Sequence, residues 1–220
     1  MRLRLHAHGL TLIVAVACAS GPRAEPAALA AARPPCLADN GGITLPRGFC
    51  AAIVADSLPR PRHLVVALNG DVFVSLLGSG QGGAGGGFVG LRDTNGDGRA
   101  DLQERFGEAP SSEVALYGSY LYVGAPTAVL RYPIRRGELR PSGSPDTIVA
   151  NLPTGGHALR TFAIDSSGAL LLNVGSLTNA CQERNRQRES RGVDPCVELE
   201  TRAGIWRFRT DQRQTQRDGE

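Results

Sequence analysis

Three segments of the chain share one form: HLVVALNGDVFVSL (63–76), VALYGSYLYVG (114–124) and TFAIDSSGALLLNVG (161–175). Each is an apolar run rich in β-branched residues, then a tight polar or glycine turn, then a second run ending in a small residue. The turn glycines Gly70, Gly118 and Gly168 are 48 and 50 residues apart. A repeat of that length is the period of a propeller blade. A further run follows each pair: GFVGLRD (87–93), AVLRYP (128–133) and AGIWRFR (203–209). Helical periodicity is missing from every long window. With 28 glycines, 14 prolines and 5% aromatic residues, composition also suits short strands joined by turns. The expected fold is therefore all-β, with about three blades of a β-propeller in residues 36–220. Propellers close with about four to eight blades. The chain is thus expected to be an amino-terminal portion of a larger protein, or to self-associate to complete the ring.

The first 35 residues carry none of this pattern. Arg2 and Arg4 precede Leu10–Ala17, an apolar stretch too short to span a bilayer. Residues 1–17 read as an export signal. The AVAC context ending at Cys18 fits a bacterial lipoprotein box, with Cys18 as the lipidated residue and the point of membrane attachment. Cleavage at Ala15-Val16-Ala17 to give a plainly secreted protein fits as well. Residues 18–35 form an Ala/Pro-rich tether. Both readings send the protein out of the cytoplasm, to the periplasm or to a lipid anchor on the bacterial envelope.

The four later cysteines agree with export. Cys36 and Cys50 are 14 residues apart, and Cys181 and Cys196 are 15 apart. Four cysteines allow three connectivities. Local pairing 36–50 and 181–196 is favoured, because each bond pins a long irregular loop in an oxidising space. Zinc is the rival, but neither pair has a C-x-x-C or a nearby histidine. Charge points to no nucleic acid: removing Arg2 and Arg4 leaves 22 basic against 21 acidic residues.

Two further motifs need weighing. DTNGDGRADLQE fits a calcium loop, with Asp93, Asn95, Asp97, the Arg99 carbonyl, Asp101 and Glu104 as oxygen donors. The strand FVGLR before it argues against a full EF-hand, and Asn-Gly and Asp-Gly also form turns without metal. GSGQGG (78–83) matches G-x-G-x-x-G, but AGGGFVGL after it cannot start the helix that would hold a pyrophosphate. It is a glycine-rich connection.

Several stretches, in order, resemble the glucose/sorbosone dehydrogenase family, in its sorbosone dehydrogenase branch. They include GGITLPRGFCAAIVADSLPRPRHLVVALNGDVFVS, FVGLRDTNGDGRADLQERFG, YLYVGAPTAVLRYPIRRGEL, GGHALRTFAID, NVGSLTNACQERNRQ and DPCVELETRAGIWRF. The resemblance runs from about Cys36 to the end of the chain. It implies a six-bladed propeller carrying pyrroloquinoline quinone (PQQ) and calcium, and oxidation of a sugar or related aldehyde. It also gives His157 a role. A histidine following two glycines at the start of a strand is otherwise a loop residue satisfied by backbone. In the family, the histidine at this place takes the proton as hydride leaves the sugar. Neutral imidazole, with a reference pKa of about 6.5, suits that task. Glu113 and Asn179 are weaker substrate-side candidates, and Glu113 reads equally well as a rim carboxylate. The family's quinone-gripping residues and cofactor calcium loop fall beyond Glu220. A non-catalytic secreted propeller that binds a ligand is the runner-up, and a lactone hydrolase on a similar propeller would need a central cluster of carboxylates.

Overall fold

The structure, a computed structural model, describes residues 36–79 and 84–220. The expected export signal (1–17), Cys18, the expected tether (18–35) and residues 80–83 lie outside the described residues. Twelve strands are present among the described residues, with only short 3-10 turns beside them. No helix among them is long and apolar enough to cross a membrane.

The first sheet contains β1 (Pro61–Val66), β2 (Val72–Leu76), β3 (Gly87–Arg92) and β4 (Leu102–Phe106), antiparallel in sequence order. The second contains β5 (Glu113–Tyr117), β6 (Tyr120–Ala125), β7 (Ala128–Pro133) and β8 (Asp146–Ala150), again in order. The third contains β9 (Phe162–Ile164), β10 (Ala169–Val174) and β11 (Gly204–Arg209). These are the blades expected from the repeat. Gly70, Gly118 and Gly168 all occupy the left-handed region that a tight hairpin turn demands. β12 (Gln214–Thr215) lies outside the repeated runs. It adds to the second blade, running parallel to β8.

Alternation along each strand explains how the blades stack. On β6, Leu121 and Val123 face the first blade and join Phe73, Phe88, Val114 and Ile134. Tyr122 points the other way, into the core shared with Leu170, Leu172, Val174 and Phe208 of the third blade. Phe88 and Tyr132 meet edge to face, with ring centroids 5.1 Å apart. The far face of the first blade packs Val74, Leu76, Val89 and Leu91 under Ala55 and Leu58. Those two residues belong to the segment after Cys50, and Cys36 and Cys50 form the expected disulfide. Cys181 and Cys196 form the second. Leu171 and Ile205 of β10 and β11 are exposed on an open face, and Leu64 and Val66 of β1 are exposed at the edge of the face that Ala55 and Leu58 partly cover.

Candidate functional site

β1, β5 and β9 are each the first strand and one edge of their sheet, and β5 packs beside both β1 and β9, so these three edges form the inner side of the blades. Their starting ends lie side by side. His63 of β1 meets Glu113 of β5 at 3.0 Å. Ser112, just before β5, accepts the Arg160 N–H at 2.8 Å and reaches the Arg160 carbonyl at 3.1 Å, just before β9. The loop that carries His157 leads directly into this seam.

His157 is exposed, and its backbone is tightly held. Its N–H donates to the Ser176 carbonyl at 2.9 Å. Its Nδ1 lies 3.0 Å from Ser176 Oγ, which leaves Nε2 free on the other side of the ring. The two glycines before it have a steric reason. Gly156 has φ +57°, and a Cβ there would meet Ser176 O at 2.4 Å and Leu177 Cα at 2.5 Å. Gly175 lies equally close: a Cβ on it would come within 2.0 Å of the His157 carbonyl oxygen. Backbone therefore rests on backbone beneath the histidine.

Two arginines and one glutamate complete the clamp, none of them legible as site residues in the sequence. Arg202 is nearly buried and donates to the carbonyls of Gly175 at 3.1 Å, Thr154 at 3.3 Å and Gly155 at 3.1 Å. Arg160 is fully buried and donates to the Pro126 carbonyl at 3.1 Å and to the Pro153 carbonyl. Its Nη1 is buried with no partner among the described residues. Burial, with a smaller contribution from the Arg202 charge, depresses the Arg160 pKa. Glu198, in the 3-10 turn Val197–Glu200, accepts the N–H groups of Leu177 at 2.6 Å and Thr178 at 3.2 Å, and the Thr178 hydroxyl. The Thr178 hydroxyl, foremost among these donors, holds its carboxyl below the usual range. The Cys181–Cys196 loop leads straight into that turn.

The other predicted residues fall elsewhere. Glu113 is no rim carboxylate: it is buried between β1 and β5, with Oε1 accepting the Val114 N–H at 3.0 Å. Burial pushes its carboxyl up, against the opposing pull of that N–H and of His63. Asn179 is exposed in the loop after β10, where its N–H donates to Asn185 Oδ1 at 3.0 Å. In the 93–104 loop, Asp93 accepts the N–H groups of Asn95, Gly96 and Gly98, and Asp101 accepts from Thr94. Asp97 accepts the Arg99 N–H at 2.8 Å, while Arg99 Nη2 pairs with Asp56 at 2.7 Å. Glu104 lies in β4, opposite Gly90. The loop is an Asx-rich turn that satisfies its own backbone. Among the described residues no three His, Cys, Asp or Glu side chains converge as a metal site. A separate cleft, lined by Val66, Leu68, Leu116 and Arg135, opens at the opposite end of β1 and β5 and includes neither His63 nor His157.

Comparison with known proteins follows this geometry. A family model described as TrAA12-like matches residues 43–196; the match gives no support to a sorbosone branch. None of the curated proteins compared matches the chain. Among solved structures, the holo form of the pyranose dehydrogenase PQQ domain from Coprinopsis cinerea is 19% identical, with a TM-score of 0.56. That alignment covers 74% of this chain and 37% of the other. A calcium structure of a Trichoderma reesei protein of carbohydrate-active enzymes family AA12 is 18% identical, with a TM-score of 0.57, covering 76% and 40%. An iodide structure of the T. reesei AA12 protein gives 18%, 0.58, 76% and 41%. These likenesses establish the propeller fold, and the chain spans about two fifths of the length of the solved structures it matches.

Proposed function

Because the chain belongs to the TrAA12-like family, we propose that it is part of a PQQ-dependent oxidoreductase of sugars or related aldehydes, with His157 as the general base. The observation that carries this reading is the mounting of His157. An exposed imidazole stands on a glycine-built loop five residues before β9, and that loop is gripped by Arg160, Arg202 and Glu198. Rigid placement of that kind is what a base needs, since a small displacement costs rate steeply.

The residues beside His157 suit a quinone acid. Arg160 and Arg202 form no ion pair among the described residues, and both are buried, so their positive charge stands behind the His157 loop without touching a ligand. That charge would favour an anionic, carboxylate-bearing ligand over the loop. When bound, the quinone would supply the hydride acceptor. His157, donating Nδ1–H to Ser176 Oγ, would present the Nε2 lone pair to a substrate hydroxyl and hold its proton there. The residues described do not assemble a calcium site, so no step is assigned to calcium; the 93–104 turn is the segment whose donors would need to rearrange around one. The two disulfides accord with an exported protein, and a periplasmic or lipid-anchored setting is part of the same reading.

The test is dye-linked oxidation of aldoses and aldehydes by the full chain supplied with PQQ, with and without calcium. Turnover that disappears in His157→Ala, while the variant keeps its β-sheet circular dichroism, is the expected result. A folded chain that takes up PQQ yet oxidises nothing refutes the reading for this chain.

A further inference from the structure

The inner wall holds a second titratable pair that the oxidation chemistry does not use. Glu113, the first residue of β5, is 7% exposed. One carboxylate oxygen accepts the Val114 N–H at 3.0 Å, and the other lies 3.0 Å from Nδ1 of His63 on β1. A buried carboxylate is costly unless it is paired. A position needed only for packing is better served by an apolar side chain. The His63 side chain, in contrast, is 43% exposed. The buried acid therefore acts outward through the ring.

A carboxylate oxygen accepts, so the 3.0 Å contact with Glu113 places the ring N–H of His63 on Nδ1. Nε2 is left as a lone-pair acceptor turned away from the carboxylate. The backbone of His63 is fixed as well: its N–H donates to Ser75 Oγ at 3.0 Å, and that hydroxyl returns a bond to the His63 carbonyl at 3.2 Å. Both ends of the residue are held, as in a binding group and unlike a loose surface histidine. The seam from His63 through Glu113, Ser112 and Arg160 leads to the loop of His157. Ser111, Ser112 and Arg160 along it are buried, so among these residues the two imidazoles are the polar groups that a ligand can reach.

We propose that His63, locked by Glu113 in its Nδ1–H tautomer, is a ligand-facing acceptor on the inner wall, binding a non-reacting hydroxyl of the sugar whose oxidation involves His157. This rests on the oxidoreductase reading and adds to it a polyol-selective contact. The interaction is a hydrogen bond from the sugar O–H to Nε2, with no covalent change at His63.

The experiment is nitrogen NMR on the full chain labelled with 15N-histidine. The chain has four histidines, and His63→Gln and His157→Gln identify the two relevant signals. His63 is expected as the Nδ1–H tautomer, a preference lost in Glu113→Gln. D-glucose or D-galactose is expected to shift the His63 Nε2 resonance, and His63→Gln to raise KM at least tenfold with kcat within twofold. An Nε2–H tautomer at His63, or a sugar that shifts the His157 signals alone, overturns this proposal and leaves the oxidoreductase reading standing. A His63 shift without turnover of any substrate upholds the binding site and overturns the oxidoreductase reading. A sugar that shifts neither histidine, in a chain without turnover, overturns both.

Discussion

Replacing Gly175 with alanine tests the idea that backbone packing under His157 sets its position. The added methyl would lie 2.0 Å from the His157 carbonyl oxygen and 2.8 Å from its Cβ. Real Cβ contacts essentially never fall below 3.0 Å, so the two segments must separate by about 1 Å. Neither side yields easily. The His157 loop is tied to Ser176 by a 2.9 Å backbone bond. The end of β10 is tied to β11 through the Val174–Gly204 pair. Overpacking costs about 1–3 kcal/mol, and loss of one backbone hydrogen bond adds about 1 kcal/mol. The expected destabilisation is therefore about 2–4 kcal/mol. A displacement of about 1 Å at the base should also lower kcat about 100-fold. Urea denaturation followed by the fluorescence of the single tryptophan, Trp206, gives the first number, since Trp206 pairs with Leu172 of the same β10. Gly192→Ala is the control: its nearest contact would be 3.9 Å away, so it should stay within about 0.5 kcal/mol of wild type. If Gly175→Ala matches that control in stability and keeps full turnover, the argument that this contact positions His157 is wrong.

Asp71 is buried, and Arg92 meets it with two 2.7 Å hydrogen bonds that hold its carboxyl below the usual range. Asp71→Asn should cost about 2–3 kcal/mol in urea, less than a fully buried pair because Arg92 is partly hydrated; with its folded-state pKa lowered, wild-type Asp71 contributes at neutral pH and loses that contribution as pH falls through the carboxylate range. Glu113 has the opposite sign: its raised folded-state pKa means that stability declines as pH rises from the ordinary glutamate value through the raised one. Glu113→Gln should remove that slope in a pH series of melting curves, and an unchanged slope would refute the assignment. Cys181→Ser with Cys196→Ser should cost about 3 kcal/mol in the chain-entropy model, and trypsin should then cut first within the arginine-rich residues 184–191.

Legibility followed burial. β2, β6 and β10 carry alternating apolar residues that feed the cores, and the repeat exposed them in the sequence. β4 did not show, because LQERF is an outer strand with little to bury. β12 is only two residues long, and its pairing is with β8, more than sixty residues earlier in the chain. His157 drew attention in the sequence through the family resemblance, and the two glycines before it now have a steric reason. Its clamp was not visible, because Arg202 acts through carbonyls 47 and 48 residues away, which any sequence supplies. Glu113 looked like a rim acid because its partner, His63, was hidden at the start of an apolar strand 50 residues before it.

The parallel pairing of β12 with β8 also sets an order of events during synthesis. All four strands of the first blade are present once Phe106 has left the ribosome, and the face that meets β6 closes when Leu121 and Val123 follow. The second blade closes later, because its outer edge awaits Gln214 and Thr215, and Arg213 reaches back to Asp146 from the same stretch. Arg131 of β7 likewise donates to the Thr210 carbonyl. The second and third blades are thus joined late, and a chain ending before residue 210 would lack these contacts along the outer edge of the second blade.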